Sequence, residues 1–476
     1  MRGSSSRRRL ARIVGALGAL SLALHLEAAE WRLSRQLALD TTWSDNSALS
    51  TTAATASASE WQLRVTPGLV LRADGGRVDL NLAYSLNYLT YPAGERGDDL
   101  NHRLQANAKT ELYRDRLFLD TTASIRQELI DPMGPMGGDD FANTANTQTV
   151  YTYSLTPSYR TPLGQYANLS LSLNHDGVLY ADQGESSLRY GAQLDLHSGR
   201  STALSWGLNA RYNLITYEDD TESESASVRA MLDQTFTPSL SGTLASGYEI
   251  LEDTGLNHRG GVIWESALIW TPNPRTRLRL GVGQRYFGWT PVLEWSHRRK
   301  RSIWTASYQR DQTTARDERL QNTAFVFEDE FGVARDPITG EPRPLSALDA
   351  APSKETFVTD QFRTGYILNT GRSTFALNAA YRLRQGEQSA REESAMQFGF
   401  NFNRRLTPFM SATAGATWNY NEADNNTANN ESYTLNLGLN RTLSRRLSTR
   451  LHYRFLEGND YTENRVTLGM QFNWSK

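Results

Sequence analysis

Eight arginines, Arg279, Arg285, Arg298, Arg363, Arg382, Arg384, Arg450 and Arg454, each fall on the polar side of a two-residue alternation. A guanidinium stays charged at any physiological pH and can grip a carboxylate or phosphate through two parallel hydrogen bonds. A row of them along one face makes a path that attracts anions and releases them again, provided no single contact is too tight. The competing reading is that these arginines pair with acids such as Glu265 and Glu294 and merely keep that face wet. Alternation alone leaves both open, and an error of one position would move a residue to the other face.

Other chemistries find no constellation. Beyond the N-terminal segment the histidines are His102, His175, His197, His258, His297 and His452. No two have metal-ligand spacing and none adjoins an obvious nucleophile. There is no Gly-x-Ser-x-Gly elbow and no phosphate loop. The absence of cysteine removes disulfides, thiol catalysis and thiolate metal sites. Asn174–Gly177, Asn-His-Asp-Gly, reads as turn chemistry. The acid pairs Asp98–Asp99, Asp139–Asp140 and Asp219–Asp220 read as solvated loop acids. No enzyme, cofactor or metal is therefore expected, and a net charge of −2 argues against a nucleic-acid partner.

The elements that carry the arginines are strands. In Val78–Tyr88, Val78, Leu80, Leu82, Tyr84, Leu86 and Tyr88 alternate with Asp79, Asn81, Ala83, Ser85 and Asn87. The same rule runs through Leu204–Leu214, Phe375–Leu383 and Leu447–Phe455, each about the length a tilted strand needs to cross a bilayer. Short connections such as Ala73–Gly76, Thr237–Leu240, Arg298–Arg301 and Thr442–Arg446 alternate with longer polar ones. That is the pattern of periplasmic turns and external loops. The expected fold is all-β: a transmembrane, antiparallel, up-and-down β-barrel of about 22 strands, from Trp31–Trp43 to Asn464–Trp474, with 18 or 20 as alternatives. Tyr88, Tyr91, Tyr180, Tyr217, Tyr286, Trp289, Trp418 and Tyr420 lie at loop-side strand ends and are expected in the interfacial girdle.

Residues 1–29 read as a signal peptide: a basic start, the apolar run Ile13–Leu26 and small residues before the first strand. Residues 30–476 form one barrel, placed in the outer membrane of a Gram-negative bacterium. Its expected partners are membrane lipid, lipopolysaccharide and the barrel-assembly machinery. The exceptional connection is 312–356, with nine acids against five bases. So long a stretch without alternation is seldom idle. It is expected to fold partly into the basic lumen as a constriction or gate, the alternative being an external cap.

The stretch Trp43-Ser44-Asp45-Asn46, followed by Thr66-Pro67-Gly68 and the Tyr-rich third strand, resembles the exosortase (PEP-CTERM) system-associated outer-membrane β-barrel family, related to putative β-barrel porins. Gly332–Pro344 resembles the long late loop of that family. The resemblance implies a role in exopolysaccharide production and export, with periplasmic export components as partners, and carries over no site residue. Together with the arginine row it gives the expectation of a passive export conduit for an acidic polysaccharide. The alternatives are a non-conducting barrel that retains polysaccharide or an exported partner, and an uptake porin for small solutes.

Overall fold

The computed structural model describes residues 29–49, 59–92, 97–131, 146–199, 203–253, 259–322, 327–328, 334–335, 353–389, 391–423 and 429–475. The leader, Asp139–Asp140 and most of the family-like Gly332–Pro344 stretch fall outside these residues.

Twenty-two antiparallel strands follow one another round a closed ring, from Ala29–Ser44 to Thr462–Ser475. One strand is kinked, so that Gly288–Trp289 and Val292–Arg298 share a neighbour, Thr276–Arg285. Most strands run 12 to 17 residues. About ten suffice to cross the hydrocarbon, so their ends stand in the headgroup zones.

Alternation sorts the side chains into two faces. Tyr88 is 40% exposed, whereas its neighbours Asn87 and Leu89 are buried on the other side. Val228, Leu232, Leu244, Val262, Leu268 and Leu280 are all exposed on the outer face. A belt that apolar suits lipid and not water. At the turn side Trp295, Trp304 and Tyr366 stack edge to face, with centroids 4.8 and 6.3 Å apart, as an inner girdle.

The loop-side girdle departs from expectation. Tyr88 and Trp289 are exposed on the outside, but Tyr91, Tyr180 and Tyr217 are buried. These three carry the parity of Leu89, Asp176 and Ile215, which is the lumenal parity, so their rings turn inward. Strand-end position alone had suggested lipid; the two-residue period decides otherwise. Asn174–Gly177 is likewise no turn. It lies inside the strand Ala167–Tyr180, where Gly177 leaves room for the Tyr153 ring.

The ring shuts along a polar seam. The first strand pairs with the last from Ser34 opposite Ser475 to Ser44 opposite Arg465. Ser44 donates to Glu463 at 2.6 Å, Thr42 meets Thr467 at 3.0 Å, and Asp45 accepts from the backbone and side chain of Asn464, both at 2.7 Å. Asn46 donates to the Thr462 carbonyl. Trp43-Ser44-Asp45-Asn46, the step that carries the family resemblance, thus closes the barrel. Lower down, Asp40, Gly469 and Arg450 lie in one row, and Arg450 reaches Asp40 at 2.6 Å across the glycine. A side chain at 469 would occupy the space the ion pair uses.

Candidate functional site

The strand Ser302–Thr314 ends at the outer mouth, and the chain turns into a helix, Ala315–Asn322. Its start is encoded locally. The Thr314 hydroxyl accepts the Asp317 backbone N–H at 3.1 Å and donates to the Asp317 carboxylate at 2.8 Å, a reciprocal cap. The next residues, Arg316, Asp317, Glu318 and Arg319, alternate two cations with two acids between them, and all four find partners on the barrel wall.

Arg316 is 3% exposed; it donates to Ser187 at 2.9 Å and to the Asp176 carbonyl at 2.8 Å, and is ion-paired with the Asp176 carboxylate. Arg319 pairs with Glu128 and lies over the Tyr180 ring at 5.2 Å. Asp317 receives Arg189 at 2.9 Å. Leu320 packs on Val150, Val178 and Tyr180. Glu318 faces elsewhere: it accepts from Arg382 at 2.8 Å, with Arg384 at 3.6 Å. Arg384 is fully buried, bound to Glu393 and set 4.2 Å over Phe357. The helix therefore ties the fifth to eighth strands to the seventeenth, on opposite arcs of the ring. Lys354, where the chain returns, pairs with Glu185 and Asp219. Asp219 lies in an outer loop, and the Thr221 hydroxyl holds its carboxyl below the usual range.

All eight sequence-predicted arginines have lumenal parity, yet most are already engaged. Arg279 bridges Glu265 and Glu294. Arg285 holds Glu249 through bonds of 2.7 and 2.9 Å and also reaches Asp311. Arg382, Arg384 and Arg450 have the partners given above. Arg298 sits at a turn-side strand end, exposed. Arg454 stands opposite Arg465. Arg363 faces the lumen exposed, with no hydrogen bond or ion pair among the described residues. Nothing in the sequence marks Glu128, Glu318 or Glu393 as a site residue, and Asp176 reads there only as part of a turn. Their signal is an acid at lumenal parity near a loop, which becomes informative only once the arginines they meet are known.

Beside the mouth lies a second cluster. Glu387, just past the strand Ser373–Gly386, accepts the Tyr286 hydroxyl at 2.7 Å and lies 3.4 Å from Arg259. Burial pushes its carboxyl above the ordinary range, against the pull of Tyr286 and Arg259. Among the described residues no group of three or more His, Asp or Glu is placed to hold a metal.

This is a closed barrel of 22 strands with a helix held across its outer end. Its fold is that of a Gram-negative outer-membrane β-barrel. The chain is similar in structure to the FrpB iron transporter of Neisseria meningitidis. The F3-3 variant gives TM-score 0.53 at 11% identity, covering 95% of this chain and 83% of that one. The F5-1 variant gives 0.52 at 10%, covering 94% and 83%. The siderophore receptor PirA of Pseudomonas aeruginosa gives 0.49 at 9%, covering 93% and 80%. At such identities the likeness speaks for the fold. No family model matches the chain, and no curated protein matches it in sequence.

Proposed function

We propose that this barrel is a passive outer-membrane conduit, shut at its outer mouth by the helix Ala315–Asn322, and that it passes an acidic polysaccharide out of the periplasm. The observation that carries the reading is the latch itself: a short helix held between opposite arcs by buried ion pairs from Arg316, Glu318 and Arg319. Buried charges cost several kcal/mol to desolvate and are no efficient way to stabilise a wall. They do give an element that is held by few, breakable contacts. The acidic cargo is supported by the arginines of the lumenal face, among which Arg363 is exposed and makes no ion pair among the described residues. No cofactor is required, since periplasmic synthesis supplies the drive.

At least five of the eight arginines being paired favours a second reading, a non-conducting barrel that holds polysaccharide on its outer surface. Planar-bilayer conductance separates the two. Large anion-selective steps that grow when residues 315–353 are deleted support the conduit. Silence from both proteins, with folding verified by heat-modifiable gel migration, refutes it in favour of the surface-binding barrel.

A further inference from the structure

The turns on the periplasmic side are unequal. The five that connect the strands from Arg259–Asn273 onward span 271–277, 297–302, 369–374, 403–410 and 440–447. Together they hold twelve Arg and Lys and no Asp or Glu. The five earlier turns, 72–78, 111–117, 160–166, 197–203 and 235–241, hold six basic residues and three acids. All twelve are exposed. Arg298 apart, none of them makes an ion pair among the described residues. Lumenal acids above this arc, Asp40 and Glu294, are already held by Arg450 and Arg279. Turns that are built only to grip the anionic inner leaflet would be basic all the way round, because lipid surrounds the whole barrel. Here the charge fills half a circle.

Within that half lies a small recess of about 130 Å³, open to solvent, between the turns at 405–411 and 440–449. Arg405, Arg441 and Arg450 contribute to its lining, together with Asn440, Ser448 and Gln471. Guanidinium groups suit carboxylates, while amides and hydroxyls both give and accept hydrogen bonds, as sugar hydroxyls do. A carboxylate-bearing glycan uses both sets. An acidic peptide can use both too, through its carboxylates and backbone, so it is the conduit reading that favours a glycan over a peptide.

We propose that this basic arc and its recess are the periplasmic loading site, where a linear, carboxylate-bearing glycan is captured before it enters the lumen. The proposal rests on the conduit reading for its direction of travel and its choice of a glycan, and on the arc for its chemistry. Several exposed, weakly held charges suit a moving polymer, since each contact is exchanged for the next. Outer loops such as Asp98–Asp99 and Glu218–Asp220 are acidic, so an anionic chain meets attraction at one end and repulsion at the other.

The test is calorimetric binding of oligogalacturonate, with maltodextrin as the uncharged control, to the full-length barrel refolded in a neutral detergent. Folding of every variant is verified by heat-modifiable migration. The barrel should bind oligogalacturonate and not maltodextrin, with affinity falling as salt is added. A variant carrying Arg404→Gln, Arg405→Gln, Arg441→Gln, Arg445→Gln and Arg446→Gln should lose affinity by about tenfold or more. A variant carrying Arg72→Gln, Arg77→Gln and Arg114→Gln, from the earlier turns, should bind normally. Equal binding of maltodextrin, equal loss in the two variants, or no binding at all overturns the proposal. Retention of phosphatidylglycerol lost from the five-fold variant, without oligogalacturonate binding, would make the arc a lipid contact and overturn it too. Binding needs no current, so a silent barrel that binds keeps the glycan site but refutes the conduit and with it the loading role, and a conducting barrel that does not bind refutes only this site.

Discussion

The two mouths of the barrel use the same side chain in opposite ways. At the outer mouth Arg316, Arg319, Arg382 and Arg384 are buried and each meets a carboxylate. At the periplasmic mouth Arg404, Arg405, Arg445 and Arg446 are exposed in turns that contain no acid. An arginine whose partner lies in the same chain holds structure. One without such a partner is available to whatever comes from outside. Charge alone does not say which; the carboxylates around it do.

The comparison breaks most visibly at Asp176. Asp176→Asn removes the carboxylate from buried Arg316 and from Arg189, at a cost of about 3 kcal/mol. That is enough to shift the balance between latched and released helix roughly a hundredfold. Single-channel recordings should show more frequent and larger openings than the parent's, while the five-fold turn variant opens no more than the parent. A parent-like record from Asp176→Asn would mean that the helix does not shut the pore.

A smaller effect is expected at the seam. Gly469→Ala puts a methyl against the Asp40–Arg450 pair and should lower stability by about 1–3 kcal/mol, read as an earlier urea midpoint on heat-modifiable gels. Conductance of the folded fraction should be unchanged, since the seam is distant from the latch in sequence and in the ring. If the midpoint does not move, Arg450 is free to turn away and belongs with the available arginines after all.

The smallest change concerns Glu387. Its carboxyl is raised by burial, so the folded barrel keeps a proton that the unfolded chain has already released. Stability from this group is present at low pH and is lost as pH climbs from the ordinary carboxylate range through the raised value. Glu387→Gln should flatten that part of a stability-against-pH curve. An unchanged slope would show that Tyr286 and Arg259 offset the burial.

Much of this architecture is legible in sequence because a barrel is a sum of local hairpins. Alternation in Val78–Thr90 gives the strand, and the alternation of short and long connections gives side and count. What escaped is non-local. Asp176 and Arg316 are 140 residues apart, and no period links them. Sequence alone therefore reads Asp176 as part of a turn, and Tyr180 and Tyr217 as girdle residues. Parity, applied to the last residue of each strand as strictly as to its middle, would have turned both tyrosines inward. The partners of Arg279 were foreseeable, since Glu265 and Glu294 share its face in adjacent strands.

The seam and the latch also differ in what they demand of the ring. Closure is written in the first and last strands alone, so a hairpin gained or lost anywhere between them would leave Asp45–Asn464 and Ser44–Glu463 intact. The helix has no such tolerance. Arg316 and Glu318 leave opposite sides of its first turn, and they must meet Asp176 on one arc and Arg382 on the other. A ring of twenty strands would crowd those groups together, and one of twenty-four would draw them apart. The helix is thus a caliper, and it fixes the circumference that the strands by themselves leave free to drift.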